Sequence, residues 1–257
     1  MTARKASIAA AFGLAAPDYA AAAVVQREVA GRLARRLLAL PLPPAPEVLE
    51  IGCGTGFLAR AVLAERPVAS WLATDIAPAM VAHCRAALGA DARLLFACMD
   101  GEAPAVGEGR FDLVCSSMAF QWFEDLGGSL ARLAGLLRPG GRLAFATLAV
   151  DTFREWREAH ASLGLAPPMP PYPDAAAMAA LWPAGGRGEI AEERIVQHHA
   201  DARAFLATVR QVGAHTVPGR RPATPGELRR VLRRFGGGGE VAVTWHVVYG
   251  LFTREGP

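Results

Sequence analysis

Through the middle of the chain, short apolar runs alternate with amphipathic stretches, the pattern that strand-helix-strand folds produce. "EVLEI" (47–51), "SWLATD" (70–75), "RLLFACMD" (93–100), "FDLVCSSMAF" (111–120) and "GRLAFATL" (141–148) read as five strands. Helical spacing fills the gaps at "FLARAVLAE" (57–65), at "AMVAHCRAAL" (79–88) and at "LGGSLARLAGLL". Pro78 suits the first turn of the second of these, and an "RPGG" turn ends the third. Further along, "EIAEERIVQHH" (189–199) and "EVAVTWHVVYGLFTRE" predict two more strands, and "ADARAFLATVRQVGA" predicts a helix ending at Gly213. "TPGELRRVLRRF" carries a T-x-x-E capping box with Pro225 at the first helical position.

Seven strands of this kind predict a single domain over 1–257, built on an open, mainly parallel α/β sheet with helices on both faces. The start, "ARKASIAAAFGLAAPDYAAAA", has the basic opening and small apolar residues of a secretory leader. Its apolar part is mostly alanine, however, and Val25, Val29, Leu33 and Leu37 follow at helical spacing, so residues 1–40 read as two helices covering the core. After residue 150 the character changes. A short helix around "TFREWREAH" leads into "GLAPPMPPYP", whose prolines forbid regular structure, so 151–188 reads as an insertion or lid after the fifth strand. Residues 41–150 then form the ligand-binding core, and 189–257 the closing strands and helices.

Composition narrows the field. Hydrophobic residues at 52% and charged residues at 20% describe an ordinary soluble protein, with no uninterrupted apolar run of membrane-spanning length. Cys53, Cys84, Cys98 and Cys115 form no C-x-x-C pair, which argues against a disulfide framework or a metal site and for a reducing cytoplasm. The formal charge of +3 is too small to point to nucleic acid.

The chemistry starts at "EIGCGTGF". Gly52, Gly54 and Gly56 fall where a strand becomes a helix, which lets backbone approach a ligand closely. The dinucleotide fingerprint needs a small residue where Phe57 stands, and no Lys-Ser/Thr follows as a phosphate loop requires. Glu50-x-Gly52-x-Gly54-x-Gly56 instead resembles the first motif of class I methyltransferases, which bind S-adenosylmethionine (SAM). Their Rossmann-like fold matches the predicted element order. SAM has a ribose and a cationic methionine end and no phosphate. Glu50 then suits its ammonium, Asp75 at the end of the second strand suits the ribose hydroxyls, and Asp100 at the end of the third suits the adenine amine. Ile76, Met80, Gly101 and Ser117, beside these positions, complete the cofactor-binding set that the resemblance implies. Alternatively, the glycines only make a turn and the aspartates only cap it.

Over nearly its full length the sequence resembles the malonyl-acyl-carrier-protein O-methyltransferase family of biotin synthesis. The resemblance runs through "KASIAAAFGLAAPDY", "SSMAFQWFEDL", "VRQVGAHTVPGRR" and "TWHVVYGLFTRE", with Phe12 to Tyr19, Gln121-Trp122 and Gly213-Ala214 the more discriminating parts. It weakens over 164–188 and at the Gly236 to Gly239 run. It implies methyl transfer from SAM to the free carboxylate of malonyl-acyl carrier protein or malonyl-CoA. A carboxylate is already ionised near neutral pH, so an orienting cation is needed rather than a base. Arg210 is the candidate, with the rival reading that it only complements a helix C-terminus. Tyr19, following a Pro-Asp turn, and Gln121 and Trp122 are candidate walls or polar contacts around donor and acceptor, and Trp122 reads as packing before chemistry. On "ELRRVLRRF", Arg229, Arg230, Arg233 and Arg234 oppose an apolar face, and with Arg220 and Arg221 nearby they would attract an acidic carrier protein bearing malonyl-phosphopantetheine, or simply face solvent. A methyltransferase of another small acid or a quinone, and a non-catalytic SAM- or RNA-binding module, are the competing classes; the last lacks an aromatic-basic binding segment.

Overall fold

The computed structural model describes residues 2–212 and 223–256. The predicted helix end at Gly213, Ala214, Arg220 and Arg221 lie outside the described residues. Seven strands, β1 (Glu47–Ile51), β2 (Ser70–Asp75), β3 (Leu94–Cys98), β4 (Phe111–Ser117), β5 (Leu137–Leu148), β6 (Gly186–His199) and β7 (Val241–Arg254), form one sheet in the order β3-β2-β1-β4-β5-β7-β6. The pairings from β3 to β5 are parallel, and β7 runs antiparallel between β5 and β6.

Alternation along the strands sends successive side chains into two cores, as the pleat requires. On one face Val48, Trp71, Leu113 and Val247 pack beneath α2 (Val24–Leu38), α3 (Phe57–Leu63), α6 (Arg154–Ala161) and α8 (Ala202–Gln211). On the other, Leu49, Val114, Phe145 and Val248 meet α5 (Leu126–Gly135) and α7 (Ala175–Ala179). Helices on both faces of a mainly parallel seven-stranded sheet are therefore present as the alternation predicts.

The N-terminal segment forms α1 (Ala3–Ala22), which turns by 78° into α2. Pro17 lies inside α1, so the Pro-Asp turn expected before Tyr19 is a continuation of helix. No single described helix is long and apolar enough to cross a membrane. The "RPGG" segment also differs from expectation, because it falls within β5. The β4–β5 register jumps there from Phe111↔Leu137 to Leu113↔Arg142, so the turn is absorbed as an irregularity in the ladder. Residues 151–188 contribute Phe153, Trp156 and Met178 to the cores, and α7, which proline-rich flanks hid from periodicity, packs on β6. The remaining helices are α4 (Pro78–Leu88) and α9 (Pro225–Gly236), the latter opened by the expected capping box at Thr224 and Glu227.

Candidate active site

β1 is flanked by β2 on one side and β4 on the other, so the chain order reverses there. A crevice opens at the carboxyl ends of strands at such a point, and the glycine turn lies in it. Gly52, Gly54 and Gly56 have φ of +70°, +52° and +88°, a region that L side chains rarely adopt. At Gly52 close approach adds to conformation, since a Cβ there would stand 2.4 Å from the Ala119 Cβ.

Two carboxylates, buried Glu50 and half-buried Asp75, stand at the turn. Glu50 Oε2 accepts from Trp71 Nε1 at 2.9 Å, and burial pushes its carboxyl up to about 8, with nearby Asp75 adding to the shift. Asp75 Oδ2 accepts from the Gly54 amide at 3.0 Å and its Oδ1 from the Ala77 amide at 2.9 Å. Burial raises the Asp75 carboxyl against those backbone bonds.

Beside them a cavity is lined by the predicted cofactor residues Glu50, Gly52, Gly54, Asp75, Ile76, Met80, Asp100, Gly101 and Ser117. Gly56 is not in its lining; it caps α3 instead. Asp100 stands two residues beyond the end of β3 rather than at it, because its Oδ1 accepts from the Glu102 amide at 3.0 Å and turns the chain. Sequence reasoning missed Lys5 of α1, whose Nζ is 2.7 Å from both Asp100 Oδ2 and Glu102 Oε2. Burial opposes the lysine charge, but the bonds to the two carboxylates outweigh it and raise its pKa. Inside the lining, the buried hydroxyls of Thr55 and Ser117 have no hydrogen-bond partner among the described residues. Glycine cradle, acidic floor and unsatisfied hydroxyls together fit a polar, cationic ligand such as SAM.

A second cavity, with about 1500 Å³ of empty space counting its mouth, shares a wall with the first. Phe12, Tyr19, Gln26, Met118 and Trp122 line both. Phe12 meets the Trp122 ring edge-on at 5.4 Å, and Tyr19 stacks on Phe57 at 6.3 Å. Burial raises the Tyr19 phenol well above its ordinary pKa, so it remains a neutral hydroxyl. Gln121 lines only the second cavity, and both ends of its amide are engaged: Nε2 donates to the Met118 carbonyl at 2.6 Å and Oε1 accepts from Thr147 at 3.1 Å. Gln121 thus pins a backbone in which Met118 has φ +59°, a strained conformation of the kind that clusters at functional sites. Phe153, with φ +55°, lines the same cavity.

The rest of that lining is largely apolar, including Leu148, Trp156, Phe205, Val209 and Trp245. Arg210, exposed in the last turn of α8, carries the only permanent charge among the described lining residues. At another part of the lining Leu228 belongs to α9, whose Arg229, Arg230, Arg233 and Arg234 are exposed opposite buried Val231. Among the described residues no group of three His, Cys, Asp or Glu side chains could hold a metal ion.

The strand order, with its antiparallel seventh strand, and the acidic glycine turn at the switch point define a class I SAM-dependent methyltransferase, and SAM is its methyl donor. A methyltransferase-domain family profile matches residues 49–143. Among solved structures the chain is similar to the YcgJ protein of Bacillus subtilis, with a TM-score of 0.65 at 12% identity, covering 88% of this chain and 98% of that one. It is also similar to a methyltransferase-like protein of Bacillus halodurans, with a TM-score of 0.64 at 14% identity over 87% of this chain and 99% of that one. Both likenesses concern the fold alone. The malonyl-[acyl-carrier protein] O-methyltransferase of Magnetococcus marinus is 46% identical over 241 residues, 93% of this chain and 89% of that protein. The chain belongs to the malonyl-[acyl-carrier protein] O-methyltransferase family. The biotin biosynthesis bifunctional protein BioCD of Bordetella avium is 47% identical over 96% of this chain, which spans about half, 52%, of that relative's length.

Proposed function

We propose that the enzyme transfers the SAM methyl to the free carboxylate of a malonyl group held as a thioester on acyl carrier protein, giving the malonyl methyl ester for biotin synthesis. The observation that carries this reading is the pair of cavities with one common wall, the second largely apolar and with Arg210 the only permanent charge among its described lining residues. The names of the relatives supply the acceptor.

SAM, when bound, supplies a methyl group already activated on a sulfonium. The chain's own residues then bind and align. Glu50 would hold the ammonium end, Asp75 the ribose hydroxyls and Asp100 the adenine amine, with Ile76, Met80, Gly101 and Ser117 lining the same cavity. Lys5 steadies Asp100 from above. On the acceptor side Arg210 holds the carboxylate, which needs no base. Phe12, Tyr19 and Trp122 exclude water from the common wall, so that the oxygen is presented without its hydration shell. The Arg229, Arg230, Arg233 and Arg234 face of α9, beside the cavity, suits an acidic carrier protein. A reducing cytoplasm suits the four free cysteines.

The test is mass spectrometry of the acyl product after incubation with SAM and malonyl carrier protein. A gain of one methylene on the acyl group is expected. An unchanged acyl mass under conditions where SAM binds would overturn the proposal.

A further inference from the structure

The second cavity holds one buried polar ring that the reaction just described leaves without a task. His160, on α6, is 3% exposed and lines that cavity. Its Nδ1 stands 2.9 Å from the Trp156 carbonyl oxygen. A carbonyl can only accept, so Nδ1 carries the proton, and Nε2 of the neutral ring is a bare acceptor. Nothing among the described residues bonds to Nε2. Burial lowers the imidazole pKa, outweighing the opposing bond to Trp156, which keeps the ring neutral at ordinary pH.

An acceptor with no protein partner on the lining of this mostly apolar cavity matches a ligand that brings a donor. A carboxylate brings none. It would be repelled by the lone pair, which separates the task of His160 from that of Arg210. Position agrees with this division. The carboxylate must reach the common wall, and that wall takes no residue from α6. α6 lies instead toward the basic helix, since the Trp156 ring meets Phe235 at 5.0 Å and Arg234 Nε donates to Ser162 Oγ at 3.2 Å. A substrate with its carboxylate at the wall and its carrier at α9 passes its connecting arm along His160.

Resting on the reading of this cavity as the malonyl-thioester site, we propose that His160 Nε2 accepts the hydrogen bond of the arm's amide N–H nearest the sulfur. His160 is then a specificity-determining residue for thioesters of acylated aminoethanethiols, the chemistry that pantetheine arms share.

The probes are malonyl carrier protein with the natural arm and with an arm whose first amide is replaced by an ester, which deletes the donor. For the unaltered enzyme kcat/KM should fall about tenfold with the ester arm, mostly through KM. His160→Phe should lower the natural arm to the level of the ester arm, so that the two converge. His160→Gln, which offers a carbonyl oxygen at the reach of Nε2, should restore part of the preference. Equal kcat/KM for the two arms with the unaltered enzyme, a comparison that needs no variant to fold, would overturn the proposal alone. An equal loss on both arms in a His160→Phe enzyme that still binds SAM would overturn it too. Absence of methylation of the natural malonyl carrier would instead overturn the functional reading, and this proposal with it.

Discussion

Replacing Glu50 by Gln should stabilise the protein increasingly as the pH rises, while weakening its hold on SAM. Glu50 is 1% exposed, and burial raises its carboxyl from an ordinary 4.5 to about 8. The folded state therefore keeps a proton that the unfolded chain releases across that interval. Where the folded state binds more protons, stability falls with rising pH, by about 1.4 kcal/mol per pH unit for one group. Below the unfolded pKa the group costs nothing; the cost grows through the window and levels off above the folded pKa. Gln keeps an acceptor for Trp71 Nε1 and removes the titration. Between about pH 5 and pH 7 the variant should gain about 3 kcal/mol on the parent, which in a chain of this size is roughly 6–12 °C in Tm. Denaturant unfolding of both proteins across that range checks the figure, because titrating groups that do not interact with Glu50 cancel in the difference. SAM binding measured in two buffers of different ionisation enthalpy should also show proton release by the parent and none by the variant. Two stability curves that run parallel with pH would refute the reasoning.

Gly52→Ala should weaken SAM binding by about tenfold or more, read by calorimetry, because it meets both a positive φ and the Ala119 Cβ; adding Ala119→Gly should recover only the steric part. Lys5→Met should speed SAM release by about fivefold, the worth of about 1 kcal/mol, and stopped-flow rates unchanged from the parent would deny Lys5 a part in holding α1 over the cavity. Arg210→Met should raise the KM for the malonyl substrate by about 10- to 100-fold; steady-state kinetics showing KM and kcat both intact would reduce Arg210 to a helix-end charge. Arg230→Glu with Arg233→Glu should raise the KM for carrier-bound malonate more than that for malonyl-CoA, less so in high salt, and equal changes would remove the carrier from α9.

Elements with a strong local signal were legible in the sequence. β1 and β2 fall where alternation and the glycine turn put them, and α9 starts at its capping box. The cavity at the glycine turn was legible because its floor follows strand ends, a rule of open α/β sheets. What stayed hidden depends on contacts between distant residues. Lys5 reaches Asp100 across 95 positions from a helix so rich in alanine that only Ile8 and Ala16 are buried, which leaves periodicity little to report. Pro17 reads locally as a turn, yet packing of α1 on α4 and α8 carries the helix through it. His160 looks like one more polar residue of an amphipathic helix until the fold turns it toward the second cavity.

The placement of β7 has a consequence for biosynthesis. β6 precedes β7 in the chain, but its sheet partner is β7, and β7 also completes the open side of β5. While the ribosome is still upstream of Val241, both β5 and β6 present unpaired backbone edges, and the β5 edge includes the apolar run Leu143 to Leu148. Exposed edges of this kind recruit other chains. A translational stall or premature stop within residues 200–240 should therefore yield aggregate rather than a smaller soluble enzyme, although every lining residue of the glycine-turn cavity, from Lys5 to Phe123, lies upstream of the break.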